Sequence, residues 1–231
     1  MDAAVPPPAP QPRLRATPEL TTLDIDILRY AVRHGMVTPE QLAARFFRSP
    51  ESAQPHLSSL VAAGLLVTEG PLLAIPAVVR ATPQGARLAG CDLTPASLDL
   101  ARLRHNLALV DLSEELLATH PGSVWTTERE LRRDRMRAAR AFGGWERQGR
   151  VPDGLLRLED GRRIAIELDL TPKRSARLDL LAGAYAVDRG VDLVWWYLPS
   201  ETAVVRMRKL VAERGLDHLV EPRVRTVTRG S

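Results

Sequence analysis

The chain has 231 residues, 45% hydrophobic and 26% charged, a balance that suits a soluble globular protein of one large domain or two modest ones. No apolar run reaches the ~18–20 residues that span a bilayer, and the opening stretch MDAAVPPPAPQP lacks the basic and apolar regions of a secretory signal. A single cysteine, Cys91, excludes an internal disulfide and a cysteine-based zinc cluster, so the cytoplasm is the expected compartment. The net charge of +4 points to an acidic partner, of which nucleic acid is the commonest. Lys173 and Lys209 are the sole lysines beside many arginines, a bias that a GC-rich genome explains as well as function does.

Residues 1–20 carry Pro6, Pro7, Pro8, Pro10, Pro12 and Pro18 with little apolar bulk, the composition of an extended or disordered tail. From Thr21 the spacing of Leu23, Ile27, Leu28 and Ala31 predicts a helix stopped by Gly35. Thr38-Pro39 and Ser49-Pro50 each start a further helix, since Ser and Thr cap well and proline fits a first turn. The third helix ends at Gly64, and Pro55 must lie in its first turn or kink it. Residues 65–69 and 77–81 read as two strands around Gly70-Pro71, and Thr82-Pro83 caps a short helix. Three helices followed by a ribbon describe a winged helix-turn-helix over residues 21–92. The run VVRATPQGARLAG resembles the wing strand and following helix of bacterial winged-helix regulators. That resemblance implies DNA contact through Gln54, His56, Ser58 and Ser59, with Arg45 and Arg48 on the backbone. The alternative use of such a unit is dimerisation.

A second domain is expected over residues 93–225. Leu100, Leu103, Leu107, Val110 and Leu117 form the stripe of a long amphipathic helix, read as an intradomain core face or else a dimer seam. His105, beside that stripe, reads as a hydrogen-bonded packing histidine rather than a ligand. Residues 123–131 are expected to form a strand. Residues 132–150 read as a basic, glycine-containing loop in which Arg132, Arg133 and Arg135 grip phosphates or are simply solvated. Two strands follow, then a helix from Thr171 to Gly190, the buried strand VDLVWWYLP, a strand-to-helix segment and a polar end.

The stretch VPDGLLRLEDGRRIAIELDLTPK has a testable register. A two-residue turn at Asp160-Gly161 mixes core and charge on each face. A three-residue loop of Glu159, Asp160 and Gly161, with Gly161 left-handed, pairs Leu156 with Ile164 and Asp153 with Glu167. Leu156, Leu158, Ile164, Ile166 and Leu168 then share one face, and Asp153, Arg157, Arg163, Glu167 and Asp169 share the other. Asp153 and Glu167 come opposite each other with Cβ atoms ~4.5–5.5 Å apart. Three crowded carboxylates repel unless a cation intervenes, and oxygen-rich sites suit Mg²⁺ or Mn²⁺.

These residues resemble the PD-(D/E)xK nuclease superfamily, which places an acid after proline on one strand and an acid-x-Lys on the next. Pro152-Asp153 and Glu167-Leu168-Asp169 fit, with Asp169 in the usual lysine position and Lys173 displaced to the following helix. Together with RHNLALVDL, VWTTERELR and VDLVWWY, the ordered set is similar to the replication-relaxation family of actinobacterial plasmids and mobile elements. The resemblance implies a mixed α+β chain: a winged helix-turn-helix, then a nuclease-like domain around a central mixed sheet. It also implies association with DNA and a Mg²⁺-dependent endonuclease site. Asp153 and Glu167 would be the ligands, Asp169 an extra one, and Lys173 the group that orients or deprotonates water. Glu128 or Glu114 would complete the shell. The alternative is an inactive nuclease-like fold, its charged face solvated and neutralised by Arg157 and Arg163, serving as a dimerising DNA-binding regulator or replication accessory. A homodimer is a candidate partner state; no membrane and no small-molecule cofactor is indicated.

Overall fold

A computed structural model describes residues 19–70, 76–142, 150–171, 183–185 and 190–225. The chain is a mixed α+β protein whose elements form a helical unit with a two-stranded ribbon and a second unit around a five-stranded mixed sheet. Among the described residues no helix is long and apolar enough to cross a membrane.

The first unit contains α1 (Thr22–His34), α2 (Pro39–Phe46), α3 (Pro50–Ala62), β1 (Leu66–Glu69), β2 (Val78–Ala81) and α4 (Pro83–Leu88). Each helix begins where a Ser or Thr side chain accepts an early backbone N–H: Thr21, Thr38, Ser49 and Thr82. Such a cap contributes on the order of 1 kcal/mol. Pro55 lies beyond the first turn of α3 and the helix runs on to Ala62. The ribbon pairs Leu66 with Ala81 through Glu69 with Val78, and a bridge between Val37 and Val79 ties it to the helices. Ile27, Leu28, Leu42, Leu57, Leu60 and Val79 fill the core between them.

The long helix α5 (Leu100–Thr119) serves both units. Leu103 and Leu107 pack with Met36 and Val78, and Val110 enters the helical unit's core. Ala108, Leu109, Leu112 and Leu116 cover one face of the sheet. The stripe read from sequence is therefore neither a dimer seam nor purely intradomain. A helix wedged between two units buries apolar residues on two sides, and the sequence stripe records one of them. Leu100, the first residue of that stripe, is exposed.

The sheet contains β3 (Val124–Thr127), β4 (Gly154–Arg157), β5 (Arg163–Leu168), β6 (Leu193–Leu198) and β7 (Val220–Val224), in that spatial order. The first three run antiparallel and the last two join in parallel. Leu156 pairs with Ile164 and Arg157 with Arg163, as the three-residue loop requires, and Gly161 has φ +89°. Leu156, Ile164, Ile166 and Leu168 lie together under α5. Ala165, Val194 and Trp196 face the other way, under α7 (Glu201–Glu213), so Trp195 and Trp196 serve opposite faces. Gly154 is required by its neighbour strand: a Cβ there would lie 2.1 Å from Cη2 of Trp125.

Four expectations fail. Only Val124–Thr127 is a strand, and the expected basic loop opens as helix α6 (Glu128–Phe142). Leu131 and Met136 are nearly its only large apolar residues, so its apolar stripe is thin and easily missed among the arginines. Its support comes from Glu130 bonded to Thr127 at the start and the Glu128–Arg132 pair one turn on. The expected strand-to-helix segment is helix throughout its described start, since Ser200 caps α7 at Glu201 directly after β6. The polar end forms β7, because Val220 and Pro222 alternate inward against β6.

Candidate acidic site and inter-unit cleft

Asp153 stands just before β4 and Glu167 near the end of β5, one step beyond the last pair of their ladder, Gly154 with Ile166. The Leu168 N–H donates to Asp153 Oδ2 at 2.9 Å, which draws the aspartate against the end of β5. Its Oδ1 faces His105 Nε2 of α5 at 3.4 Å. His105 thus packs from α5 with its ring against Asp153. Burial works to raise the Asp153 carboxyl. The His105 contact, the Leu168 N–H and the Arg150 charge outweigh it and hold the group below the usual aspartate range.

Glu167 is fully buried. Arg150 grips it as a fork, Nε to Oε1 at 2.7 Å and Nη2 to Oε2 at 2.5 Å, and the Tyr185 hydroxyl donates to Oε1. Burial, with the negative charge of Asp153, pushes the Glu167 carboxyl up, while its bond to Glu167 holds Arg150 more firmly in the charged form. Asp169 is also buried and accepts the Trp196 Nε1–H at 3.1 Å. Lys173 lies outside the described residues.

Two expected features of this face are corrected. It is not solvated, because Tyr185 and the α7 side of the sheet cover it. Nor do Arg157 and Arg163 neutralise it. Both are exposed at the loop end of the hairpin, and Arg163 meets Asp192. Four residues along a strand is roughly 13 Å, too far for Arg157 to reach Asp153 as an ion pair. Arg150, three residues before Asp153, takes that role, and its place in a basic run was the available signal.

A divalent cation does not fit this arrangement. Both Glu167 oxygens are held by a guanidinium, and Asp153 and Asp169 each accept a protein N–H. Among the described residues no three of His, Cys, Asp and Glu gather to hold a metal. The accessory acids lie elsewhere. Glu114 accepts the Tyr30 hydroxyl at 3.0 Å and pairs with Arg45 at 3.6 Å, joining the two units. Glu128 is shared by Arg102 and Arg132 on the rim of a cleft.

That cleft, about 240 Å³, opens between the end of α1 and the starts of α5 and α6, and Asp153 lines it. Of the expected DNA contacts, Arg48, Gln54, Ser58 and Ser59 are exposed, and His56 lies 3.7 Å from Asp24. Helix α3 carries no Lys or Arg and has Glu51 in its first turn. Arg45 and Arg133 are drawn into contacts between the units, the latter with Asp92. Arg132 is exposed beside Glu128, and Arg135 is half-buried on α6.

No protein-family model and no curated protein matches the chain. A solved structure titled "PigF with SAH" aligns over 87% of this chain and 57% of its own, at 15% identity and a TM-score of 0.23. At that score the likeness carries no argument.

Proposed function

We propose that this chain is a DNA-binding protein of the replication-relaxation type, a winged helix-turn-helix joined to a nuclease-like sheet that does not cleave. It would act as a regulator or accessory in plasmid or mobile-element replication. The fork of Arg150 on buried Glu167 carries the reading, because a fixed guanidinium stands where a metal-dependent nuclease needs its cation. Asp169, in the motif's lysine position, is tied to Trp196 and adds no cation. Three capped helices with a ribbon support the winged-helix part, and the six arginines of α6 support contact with phosphate.

The test is calorimetry with Mn²⁺ beside a cleavage assay on supercoiled plasmid. Wild type and Glu167→Ala should show the same negligible Mn²⁺ uptake, and the plasmid should stay intact while DNA binding remains salt-dependent. Metal uptake that Glu167→Ala abolishes would overturn the non-cleaving reading.

A second reading, a Mg²⁺-dependent endonuclease, is favoured by one observation: Asp153 and Glu167 lie close enough that the charge of one opposes ionisation of the other. It requires Arg150 to leave Glu167. Nicking of the plasmid that Asp153→Ala and Lys173→Ala both remove would establish it.

A further inference from the structure

The cleft between the units has more hydrogen-bond donors than the protein satisfies. Arg33 is matched by the Glu130 carboxylate and the Trp125 carbonyl. Arg102 and Arg132 share one carboxylate, Glu128. Arg129 has no carboxylate within ion-pair distance among the described residues; its Nη2 donates to the Thr94 carbonyl, and its buried Nε has no acceptor. Burial holds that guanidinium below the usual arginine range, the mark of a desolvated charge incompletely compensated. Trp125, 5% exposed and lining the same cleft, also has a buried Nε1–H with no acceptor. An unpaired buried donor is costly, and two at one cleft call for an acceptor from outside.

The acids of the lining do not meet this demand. Asp99 caps α5 through the Ala101 and Arg102 N–H groups, Asp153 is held by Leu168 and His105, and Glu128 is divided between two arginines. Room for the ligand depends on Gly35, whose φ is +82°. A Cβ there would stand 3.1 Å from Ala96 and 3.3 Å from the Arg129 side chain.

We infer that this cleft is a phosphate subsite taking one backbone phosphate of a nucleic-acid strand, with Arg129 as its principal cation and Trp125 as a neutral donor. The inference rests on the DNA-binding reading and moves the point of contact from α3 to the seam between the units. Guanidinium and indole donors lining one cleft suit a group with several acceptor oxygens.

The test uses the full chain and a labelled DNA duplex, with affinity read by anisotropy across a salt series. Arg129→Gln and Ser97→Glu, the latter an acid placed at an exposed position of the lining, should each weaken binding roughly tenfold. Arg129→Gln should also lower the salt slope by about one. Arg208→Gln, on exposed α7 surface, should do neither. Ser97→Glu keeps the test open if Arg129→Gln fails to fold. Wild-type affinity and slope in both cleft variants would overturn the subsite while leaving DNA binding intact. If wild type binds no duplex, calorimetry with pyrophosphate decides. Uptake lost in both variants would keep a phosphate site but replace nucleic acid by a free phosphate compound. No uptake would overturn both proposals.

Discussion

The two units bury different things. The helical unit encloses aliphatic side chains and places its polar groups at helix starts, where each cap answers an orphan N–H. The sheet unit buries carboxylates: Glu167 and Asp169 lie inside it, answered by Arg150, Tyr185 and Trp196. Their charges differ as well. Residues 19–92 hold six arginines against seven acids, whereas residues 93–225 hold 23 basic against 20 acidic residues. The helical unit is thus slightly acidic, and on the DNA-binding reading proposed above the phosphate-facing charge would come from the sheet unit and its seam. The helical unit is stabilised by apolar area, which many substitutions erode gradually. The sheet unit depends on pairings, which a single substitution breaks.

The largest effect should come from Arg150→Ala, which strands a buried carboxylate and should cost about 3–5 kcal/mol in denaturant unfolding. A loss below about 1 kcal/mol would mean that the fork is dispensable and that the two units do not differ in kind. Leu42→Ala, in the helical core, should cost about 2–5 kcal/mol through transfer and cavity terms. Its effect should not depend on pH, unlike that of Arg150→Ala. Gly154→Ala drives a methyl into the Trp125 ring and should cost about 1–3 kcal/mol, with a changed indole signal in near-ultraviolet circular dichroism. Thr38→Ala, losing one cap, should cost about 1 kcal/mol by the same unfolding measurement.

The helical unit should also show a pH slope. Burial, with the Arg33 charge, lowers the His34 pKa from 6.5 to about 3. The folded form is therefore neutral where the unfolded form takes a proton. His34 contributes stability that is complete above pH 6.5 and lost as pH falls towards 3. His34→Asn should flatten the slope across that window, and an unchanged slope would assign the pH dependence to the carboxylates of the sheet unit.

Much of the fold was legible because local chemistry dictates it. Thr38-Pro39, Ser49-Pro50 and Thr82-Pro83 mark helix starts whatever surrounds them. The hairpin register followed from one requirement, that aliphatic residues share a face, and Gly161 met the backbone demand. Helix α6 was hard to read although its few apolar residues keep a helical period. They are small or scattered among six arginines, and the segment reads first as a charge run. The second apolar side of α5 was hidden for the opposite reason, since two partners blur one stripe.

The candidate site divides in the same way. Sequence by itself determined that Asp153, Glu167 and Asp169 would gather at the end of one hairpin, since strand alternation and turn length leave little choice. Tertiary structure alone decided what meets them. Arg150, Tyr185 and His105 arrive from three separate segments, and the Arg129–Trp125 cleft exists only where α1, α5 and α6 converge. Local sequence sets which way a side chain points, but the charge it meets is set by packing between elements far apart in the chain.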